Sequence, residues 1–418
     1  MKEFEKHSII LLSLTMAANI VNYLFQLAMG RMLDIGSFGI LNSLLSFYTI
    51  VTIPVLVVLT VVAKYVSEYK ALGMSVNILL KHFFSIVIIF SVFYILLGIC
   101  LSGFIASFFN IESKVLVSFF MVAAGSSLIL YVAMGGLQGE KKFLAFSIII
   151  LITSLTKLFG SILFLTFGLE LYGVVLSFLL GNILAIFAGL WLLKFNFKCF
   201  TEKTNFRIHF KTIQFAWFSF IVNVGIITLT NIDVILVKHF FTNEITGFYS
   251  AASILGKIIL YVSAALTLVM FPIAAEASVK KDDTGQILRK TLFYGGVFSL
   301  LCAAGLNVFA KQAIFILFGN RYLESSVYIL PVSLFFFALS IVNILVNYSL
   351  AVDRTRLLSY SLVIGCLAGF VLIYFYHAGI LQIVYILAAI SFGLIIMGII
   401  AFKKDIYTVE KSINNYPG

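Results

Sequence analysis

The chain has 418 residues, of which 62% are hydrophobic and 11% charged, and its formal net charge is +11. A soluble domain carries about 25% charged residues, so this composition excludes a soluble protein and indicates one that lies in a membrane. The sequence also lacks a G-x-x-x-x-G-K-[ST] phosphate loop and an H-E-x-x-H zinc motif, which excludes the ATPases and zinc enzymes that use them.

Twelve apolar stretches follow one another along the chain, and each is long enough to cross roughly 30 Å of hydrocarbon. They are continuous rather than alternating, so they predict helices and not the strands of a barrel. We therefore expect an all-α polytopic membrane protein with about twelve transmembrane helices. In order, the predicted spans are 8–31, 38–65, 82–103, 115–138, 143–167, 171–194, 211–238, 245–274, 289–310, 325–351, 357–377 and 380–402.

The first predicted helix carries a polar stripe and has no small-residue cleavage site, so we expect a retained helix rather than a signal peptide. The stripe consists of Thr15, Asn19, Asn22 and Gln26. Their spacing of i, i+4, i+7 and i+11 places all four side chains on one face of the helix. Arg31 ends this helix, where a charge is either an interfacial anchor or a ligand.

Three ionisable residues lie within predicted spans, namely Lys157 in helix five, Asp233 in helix seven and Lys257 in helix eight. Each costs about 2.5–3.5 kcal/mol at a helix centre, so each is a candidate functional residue. The two lysines would attract an anion such as phosphate, unless they snorkel to the interface or Lys257 pairs with Asp233 as a structural lock. Asp233 is the only carboxylate well within a predicted span, which makes it the candidate for coupling to H⁺ or Na⁺.

A polar, basic segment at 200–210 separates two sets of six predicted helices, so we predict an N-terminal lobe at 1–199 and a C-terminal lobe at 211–418. A shift of about 208 residues aligns Gly39 with Gly247 and Glu68 with Glu276, which indicates an internal repeat. Each lobe has six predicted helices, an even number of membrane crossings, so the two repeats have the same orientation in the membrane. Its pseudo-two-fold axis runs along the membrane normal, and the substrate path lies between the lobes.

Polar stripes also mark predicted helices seven and ten. Their members are Ser219, Asn223, Thr230 and Asp233 in helix seven, and Ser340, Asn343 and Asn347 in helix ten. Hydrogen bonds between helices would explain any single one of these residues, at roughly 0.6–2 kcal/mol per bond. Stripes in several helices are better explained by a shared water-filled cavity, which we expect.

The positions of Lys and Arg predict the orientation. Of the 28 such residues, 21 fall in segments on the side of the N-terminus and five on the opposite side. Because positive charge is retained in the cytoplasm, we expect both termini there, in a multi-pass protein of the cytoplasmic (inner) membrane. This bias explains most of the net charge without a nucleic-acid partner.

The four cysteines have no paired spacing, so no metal site is expected, and no cofactor is predicted.

Four short segments carry recognisable motifs. Residues 28–39 read AMGRMLDIGSFG, 136–143 read GLQGEKKF, 231–241 read NIDVILVKHFF before EITGFYSAA at 244–252, and 318–324 read FGNRYLE. Together they resemble the motifs of polysaccharide-repeat-unit flippases, the Wzx or PST type of the MOP (multidrug/oligosaccharidyl-lipid/polysaccharide) transporter superfamily. Ile35 departs from the pattern, because the family often has glycine there.

The resemblance implies a transporter, not an enzyme, with two six-helix lobes in a V around a central cationic cavity. Its substrate would be a polyprenyl-(pyro)phosphate-linked oligosaccharide, moved by alternating access to the outer leaflet for surface polysaccharide biosynthesis. A glycan polymerase and glycosyltransferases are the candidate protein partners. The lysines would face phosphate and the amides would face sugar hydroxyls. The expected cavity residues are Lys157, Lys257, Asn19, Asn22, Gln26, Arg31, Asn223, Asn343 and Asn347.

Two other functions remain open. A multidrug or cation antiporter of the MATE type shares the two-lobe plan, but it would need more carboxylates in the N-terminal lobe than this chain has. A membrane-embedded glycan polymerase or ligase would need a long outer loop with paired Arg or His residues. The predicted outer connections are short, which disfavours such an enzyme.

Overall fold

The computed structural model describes residues 2–195, 210–280, 282–354 and 356–403, with side chains described in these ranges except at 2–12, 210–219 and 356. Every regular element in them is helical, which confirms the predicted fold class. The helices are α1 Lys2–Met32, α2 Ile35–Val51, α3 Ile53–Ala71, α4 Val76–Phe108, α5 Lys114–Gly139, α6 Phe143–Thr166, α7 Glu170–Leu193, α8 Phe210–Leu229, α9 Ile232–Phe240, α10 Asn243–Lys280, α11 Thr284–Val308, α12 Ala310–Phe318, α13 Ile329–Ala351, α14 Arg356–Phe375 and α15 Ile380–Ala401.

The described helices are those of a multi-pass membrane protein. Ten spans are long and apolar enough to cross a bilayer, and the bent pair α8 and α9 adds an eleventh. α2 and α3 count together as one of these spans. α1 covers the remaining predicted stretch at 8–31.

The chain divides into two compact units, residues 1–220 and 221–418. The predicted linker at 200–210 lies outside the described residues apart from Phe210, so the exact lobe boundary stays a prediction.

Two spans that the sequence presents as continuous are broken. The stretch predicted as one helix at 38–65 ends at Val51 and resumes at Ile53, with Pro54 in the first turn of α3. Proline has no N–H and its ring clashes with the preceding turn, so a break precedes it. The Tyr94 hydroxyl donates to the Val51 carbonyl at 2.6 Å. The Thr52 hydroxyl donates to the Tyr48 carbonyl at 2.7 Å, which also accepts the Thr52 N–H.

The second break lies in the span predicted at 211–238. α8 and α9 meet at an angle of 50° around Thr230 and Asn231. Asn231 donates its amide to the Ile227 carbonyl at 2.9 Å, which satisfies a group released by the bend. A further correction concerns the connection before α13, which was predicted to be short. It contains α12 and a 3₁₀ helix at Asn320–Tyr328.

Each unit packs around one central helix. In the first unit α5 contacts α3, α4 and α7, and in the second α13 contacts α10, α11 and α15. Glycines allow the closest approaches. A Cβ on Gly139 of α5 would lie 2.6 Å from the Ala63 carbonyl of α3, and one on Gly256 of α10 would lie 2.4 Å from Val332 of α13. The same packing brings α1 against α6, and α9 against α10, where the candidate sites lie.

Candidate functional site

The first candidate site lies where α1, α6 and α7 meet in the first unit. Lys157 in the middle of α6 donates a hydrogen bond from its Nζ to Oδ1 of Asn22 in α1. The amide nitrogen of Asn22 in turn donates to Ser154 Oγ at 3.1 Å. Ser154 precedes Lys157 by three residues and shares its face of α6. Both predicted site residues, Asn22 and Lys157, are therefore in direct contact.

Two aromatic rings complete the surroundings of the Lys157 ammonium. Its Nζ lies 4.5 Å from the ring centroid of Phe25 in α1 and 5.3 Å from that of Phe178 in α7. Such cation–π contacts contribute about 0.5–2 kcal/mol each, more when water is excluded. Among the described side chains of this unit, no carboxylate forms an ion pair with Lys157. The site therefore carries one positive charge that no acidic side chain described in this unit neutralises.

The Lys157 ammonium retains the capacity to bind an anion. It has three N–H donors, and Asn22 is its one hydrogen-bond acceptor among the described residues. The side chain is partly exposed rather than sealed. Ammonium donors left without acceptors suit a phosphate oxygen, which is a strong acceptor of charge-assisted hydrogen bonds.

The other predicted residues of α1 differ in their surroundings. Gln26, one turn beyond Asn22, has a buried Oε1 with no hydrogen-bond donor in the described part of the chain. A buried acceptor without a donor costs about 1–3 kcal/mol, so this oxygen is a candidate acceptor for a ligand hydroxyl. Asn19 and Arg31 are exposed, and Arg31 lies in the last turn of α1.

The second candidate site lies at the start of α9 in the second unit. Asp233 is fully buried in the first turn of α9, where a negative charge interacts favourably with the helix dipole. Its Oδ2 accepts hydrogen bonds from Tyr249 at 2.9 Å and Ser253 at 2.7 Å, both in α10. Its Oδ1 is buried and has no donor among the described residues.

Lys257 joins this cluster through the bend between α8 and α9. Its Nζ donates to Asn231 Oδ1 at 3.0 Å, and the charge of Asp233 acts on it electrostatically. The two residues thus belong to one cluster, as the sequence suggested. Among the described residues, each of the two side chains hydrogen-bonds to other side chains, so Lys257 and Asp233 interact through charge rather than through a direct bond.

The remaining predicted residues are spread over the second unit. Asn347 donates its amide to the Asn343 carbonyl and side-chain oxygen, at 2.8 and 3.0 Å, and both residues are partly exposed on α13. Asn223 is partly buried in α8. The side chain of Ser219 lies outside those that the structure describes.

The sequence reasoning missed several residues of these sites. Phe25, Phe178 and Ser154 are not among the residues that the sequence predicts for the site. In α10, the spacing of Tyr249, Ser253 and Lys257 by four residues was a usable signal, since it puts them on one helical face. Lys238, the last residue of the predicted span 211–238, is fully buried in the last turn of α9.

Comparisons with known proteins agree with this architecture. Residues 28–327 match the model of a family described as polysaccharide biosynthesis proteins. The chain belongs to this family. A comparison with curated proteins gave no significant match in sequence.

Solved structures of a flippase and of multidrug transporters share this fold. The lipid II flippase MurJ in an inward closed conformation matches with a TM-score of 0.72 and 16% identity, over 95% of this chain and 89% of MurJ. An inward-facing MATE multidrug transporter matches with a TM-score of 0.72 and 12% identity, over 95% of this chain and 97% of the other. The bent form of the Vibrio cholerae MATE transporter VcmN matches with a TM-score of 0.61 and 14% identity, over 97% of this chain and 98% of VcmN.

These comparisons support three of the predictions. The helical fold class is confirmed, and the expected resemblance to transporters of the MOP superfamily is matched at the level of the fold. The structural relatives named above are a flippase and multidrug transporters, and neither is described as a polymerase or ligase. At these identities the structural matches concern the fold, and the substrate has to be argued from the sites.

Proposed function

We propose that this protein moves a polyprenyl-(pyro)phosphate-linked oligosaccharide from the cytoplasmic to the outer leaflet of the inner membrane. Such a substrate has a polar, anionic head that cannot cross hydrocarbon unaided and a polyprenyl tail that is soluble in it. The family to which the chain belongs acts in polysaccharide biosynthesis, which supplies substrates of this class.

The observation that carries the proposal is the charge of Lys157. A lysine in the middle of an apolar span costs about 2.5–3.5 kcal/mol, and this one has no carboxylate partner among the described side chains. Asn22 and two aromatic rings hold its ammonium in place. A cation fixed in this way at membrane depth is suited to the phosphate of the lipid carrier.

The amides near Lys157 are suited to the sugar part of the same substrate. Asn22 supplies an amide, and Gln26 supplies a buried oxygen without a donor one turn away. Sugar hydroxyls both donate and accept hydrogen bonds, so such groups can replace the water that the head loses. Asn343 and Asn347 on α13, which now bond to each other, would bind hydroxyls in the second unit.

Movement across the membrane would follow alternating access, with work limited to the difference in binding between two states. Asp233 is our candidate for ion coupling, because it is a buried carboxylate with one oxygen lacking a donor in the described part of the chain. Asp233→Asn keeps an acceptor for Tyr249 and Ser253 but removes the charge. We expect this variant to bind substrate and to lose transport driven by an H⁺ or Na⁺ gradient; unchanged gradient dependence would remove Asp233 from this role.

The positions of Lys and Arg support the cytoplasmic location of both termini, as argued from the sequence. The substrate would come from glycosyltransferases on the cytoplasmic side and pass to a glycan polymerase outside. These enzymes are the candidate partners.

The proposal is tested in cells with and without the gene. Lipid-linked glycan is treated with an impermeant sugar-modifying reagent, in intact cells and in lysates. We expect single repeat units to accumulate in a protected form when the gene is absent. Units that reach the outer face unpolymerised would instead indicate a step after translocation.

The alternative of a multidrug antiporter rests on the equal structural similarity to a MATE transporter. The first site disfavours it, because an unneutralised ammonium at Lys157 repels a cationic drug. Unchanged glycan location in the cell experiment, together with accumulation of a cationic dye when the gene is absent, would favour the antiporter.

A further inference from the structure

Two phenylalanine rings, and not a carboxylate, enclose the charged end of Lys157. We propose that Phe25 and Phe178 are positioning residues, whose ring faces hold the Lys157 ammonium in place while leaving its free N–H donors to a phosphate group of the substrate. This inference rests on the proposed function. It adds to the proposed function the residues that set the strength of phosphate binding.

The geometry of the rings fits a cation–π cage. The ammonium nitrogen lies 4.5 Å from the Phe25 centroid and 5.3 Å from the Phe178 centroid. The two rings are 5.8 Å apart and inclined at 76°, so they form two walls of one corner. The face of an aromatic ring carries partial negative charge, and a cation within about 6 Å of its centroid is attracted to it.

The cage is held rigidly by a second set of rings. Phe25 is fully buried. Phe178 contacts Tyr48 edge-on, with centroids 6.0 Å apart, and Phe120 at 6.2 Å. These neighbours limit the rotation of the Phe178 ring, and so they favour one position for the wall that it forms beside the ammonium.

Rings and carboxylates stabilise a lysine with different consequences. A carboxylate would neutralise the ammonium and compete with phosphate for it, whereas a ring attracts the cation and remains neutral. The second unit shows the contrast, since Lys257 lies within the influence of Asp233. Of the two lysines in these clusters, Lys157 is the one with no carboxylate beside it among the described side chains, so its ammonium has no acidic competitor for an anion there.

The test uses the full-length protein in lipid nanodiscs, with polyprenyl phosphate as the probe. Phe25 is replaced by monofluoro-, difluoro- and trifluorophenylalanine, which withdraw charge from the ring face with little change in size. We expect the affinity for the probe to fall in steps, by about tenfold over the series. Phe25→Trp should retain the affinity for the probe. Phe25→Leu should lower it about as much as trifluorophenylalanine at the same position.

Phe120 provides the matched control, because it packs on Phe178 but is not over the ammonium. The same fluorination series at Phe120 should leave the affinity unchanged. Thermal stability is measured for every variant. An affinity that stays flat over the Phe25 series, with or without a change in stability, would show that the rings only fill space and would overturn the inference.

The wild-type result separates this inference from the proposed function. If the wild-type protein binds polyprenyl phosphate and the fluorinated series is flat, the cage is wrong and the proposed substrate class stands. If the wild-type protein does not bind either polyprenyl phosphate or polyprenyl pyrophosphate, the proposed substrate fails, and the role of the cage fails with it.

Discussion

Lys157 of α6 donates a hydrogen bond to Asn22 of α1, a residue 135 positions earlier in the chain. This contact joins two helices at a point where a charge lies within an apolar span. Asn22 fixes the ammonium without neutralising it, because an amide oxygen accepts a hydrogen bond but carries no net charge. The relationship makes Asn22 a sensitive position for separating stability from transport.

The first prediction concerns Asn22→Asp. The new carboxylate would pair with the Lys157 ammonium and compete with a substrate phosphate, so we expect transport to fall by at least about tenfold. Because the hydrogen bond is kept, thermal stability should not fall. The measurement compares transport rate and thermal unfolding for wild type and variant. Full transport by Asn22→Asp would contradict the assignment of Lys157 to an anionic substrate.

A second prediction concerns the coupling of Lys257 and Asp233 in the second unit. Lys257→Met leaves a buried carboxylate uncompensated, and Asp233→Asn removes the charge that acts on the lysine. We expect the double variant to lose less stability than the sum of the two single variants, by about 0.5–3 kcal/mol. Lys311 is an exposed residue of α12, so Lys311→Met serves as the control. Its effect on stability should simply add to the effect of Asp233→Asn. Additive losses for Lys257 and Asp233 would show that they do not interact.

Gly256 gives a prediction about packing. A methyl group there would lie 2.4 Å from Val332 and 2.6 Å from Phe336, so Gly256→Ala should push α10 from α13 and destabilise the protein by about 1–3 kcal/mol. Gly305 in α11 has no atom within 4 Å of an added Cβ. Gly305→Ala should therefore be neutral or stabilising, by up to about 1 kcal/mol. Thermal unfolding in detergent tests both, and equal effects would contradict the packing described.

Asp34 gives a prediction about pH. It caps α2, and its Oδ2 accepts a hydrogen bond from the Ser37 N–H at 2.8 Å. Partial burial alone would raise the pKa of Asp34, but hydrogen bonds from the side chain and backbone of Ser37 outweigh it and lower the pKa. Because the folded pKa lies below the unfolded one, near 3.9, the stabilisation is present above about pH 4 and is lost as the pH falls through the folded pKa.

Asp34→Asn should retain most of the cap at neutral pH and lose this acid dependence. Asp34→Ala should cost about 0.5–2 kcal/mol at neutral pH. Thermal unfolding from pH 3 to 7 distinguishes the three proteins. A wild type and an Asp34→Asn variant with the same acid dependence would show that another group is responsible.

The sequence was sufficient to predict the helices, because uninterrupted apolar runs of about 20 residues have few other structures available in a membrane. It also placed Asn22 and Lys157 among the candidates, since polar and charged residues in such runs are costly. It could not pair them, because the register between α1 and α6 depends on how both pack against α7. The rings of Phe25 and Phe178 were hidden for a related reason, as nothing distinguishes them from other apolar residues until the lysine lies beside them.

The breaks in the spans were harder to predict than the spans. Hydropathy continues through Thr52 and through Thr230, so a pattern of apolar residues cannot show where a helix is interrupted. Pro54 was a local signal for the first break. The second break has no proline, and it is stabilised by Asn231 and by Lys257 from another helix, a contact that only the folded unit reveals.

The central claim is best tested by reconstituting the protein in liposomes that contain a lipid-linked oligosaccharide and measuring its movement between leaflets with an impermeant glycosidase. Wild type is compared with Lys157→Ala and with Lys114→Ala, an exposed lysine at the start of α5. We predict that wild type and Lys114→Ala expose the inner-leaflet pool to the enzyme, and that Lys157→Ala does so at least about tenfold more slowly while remaining folded. Equal rates for wild type and Lys157→Ala, or no movement above protein-free liposomes for wild type, would contradict the account.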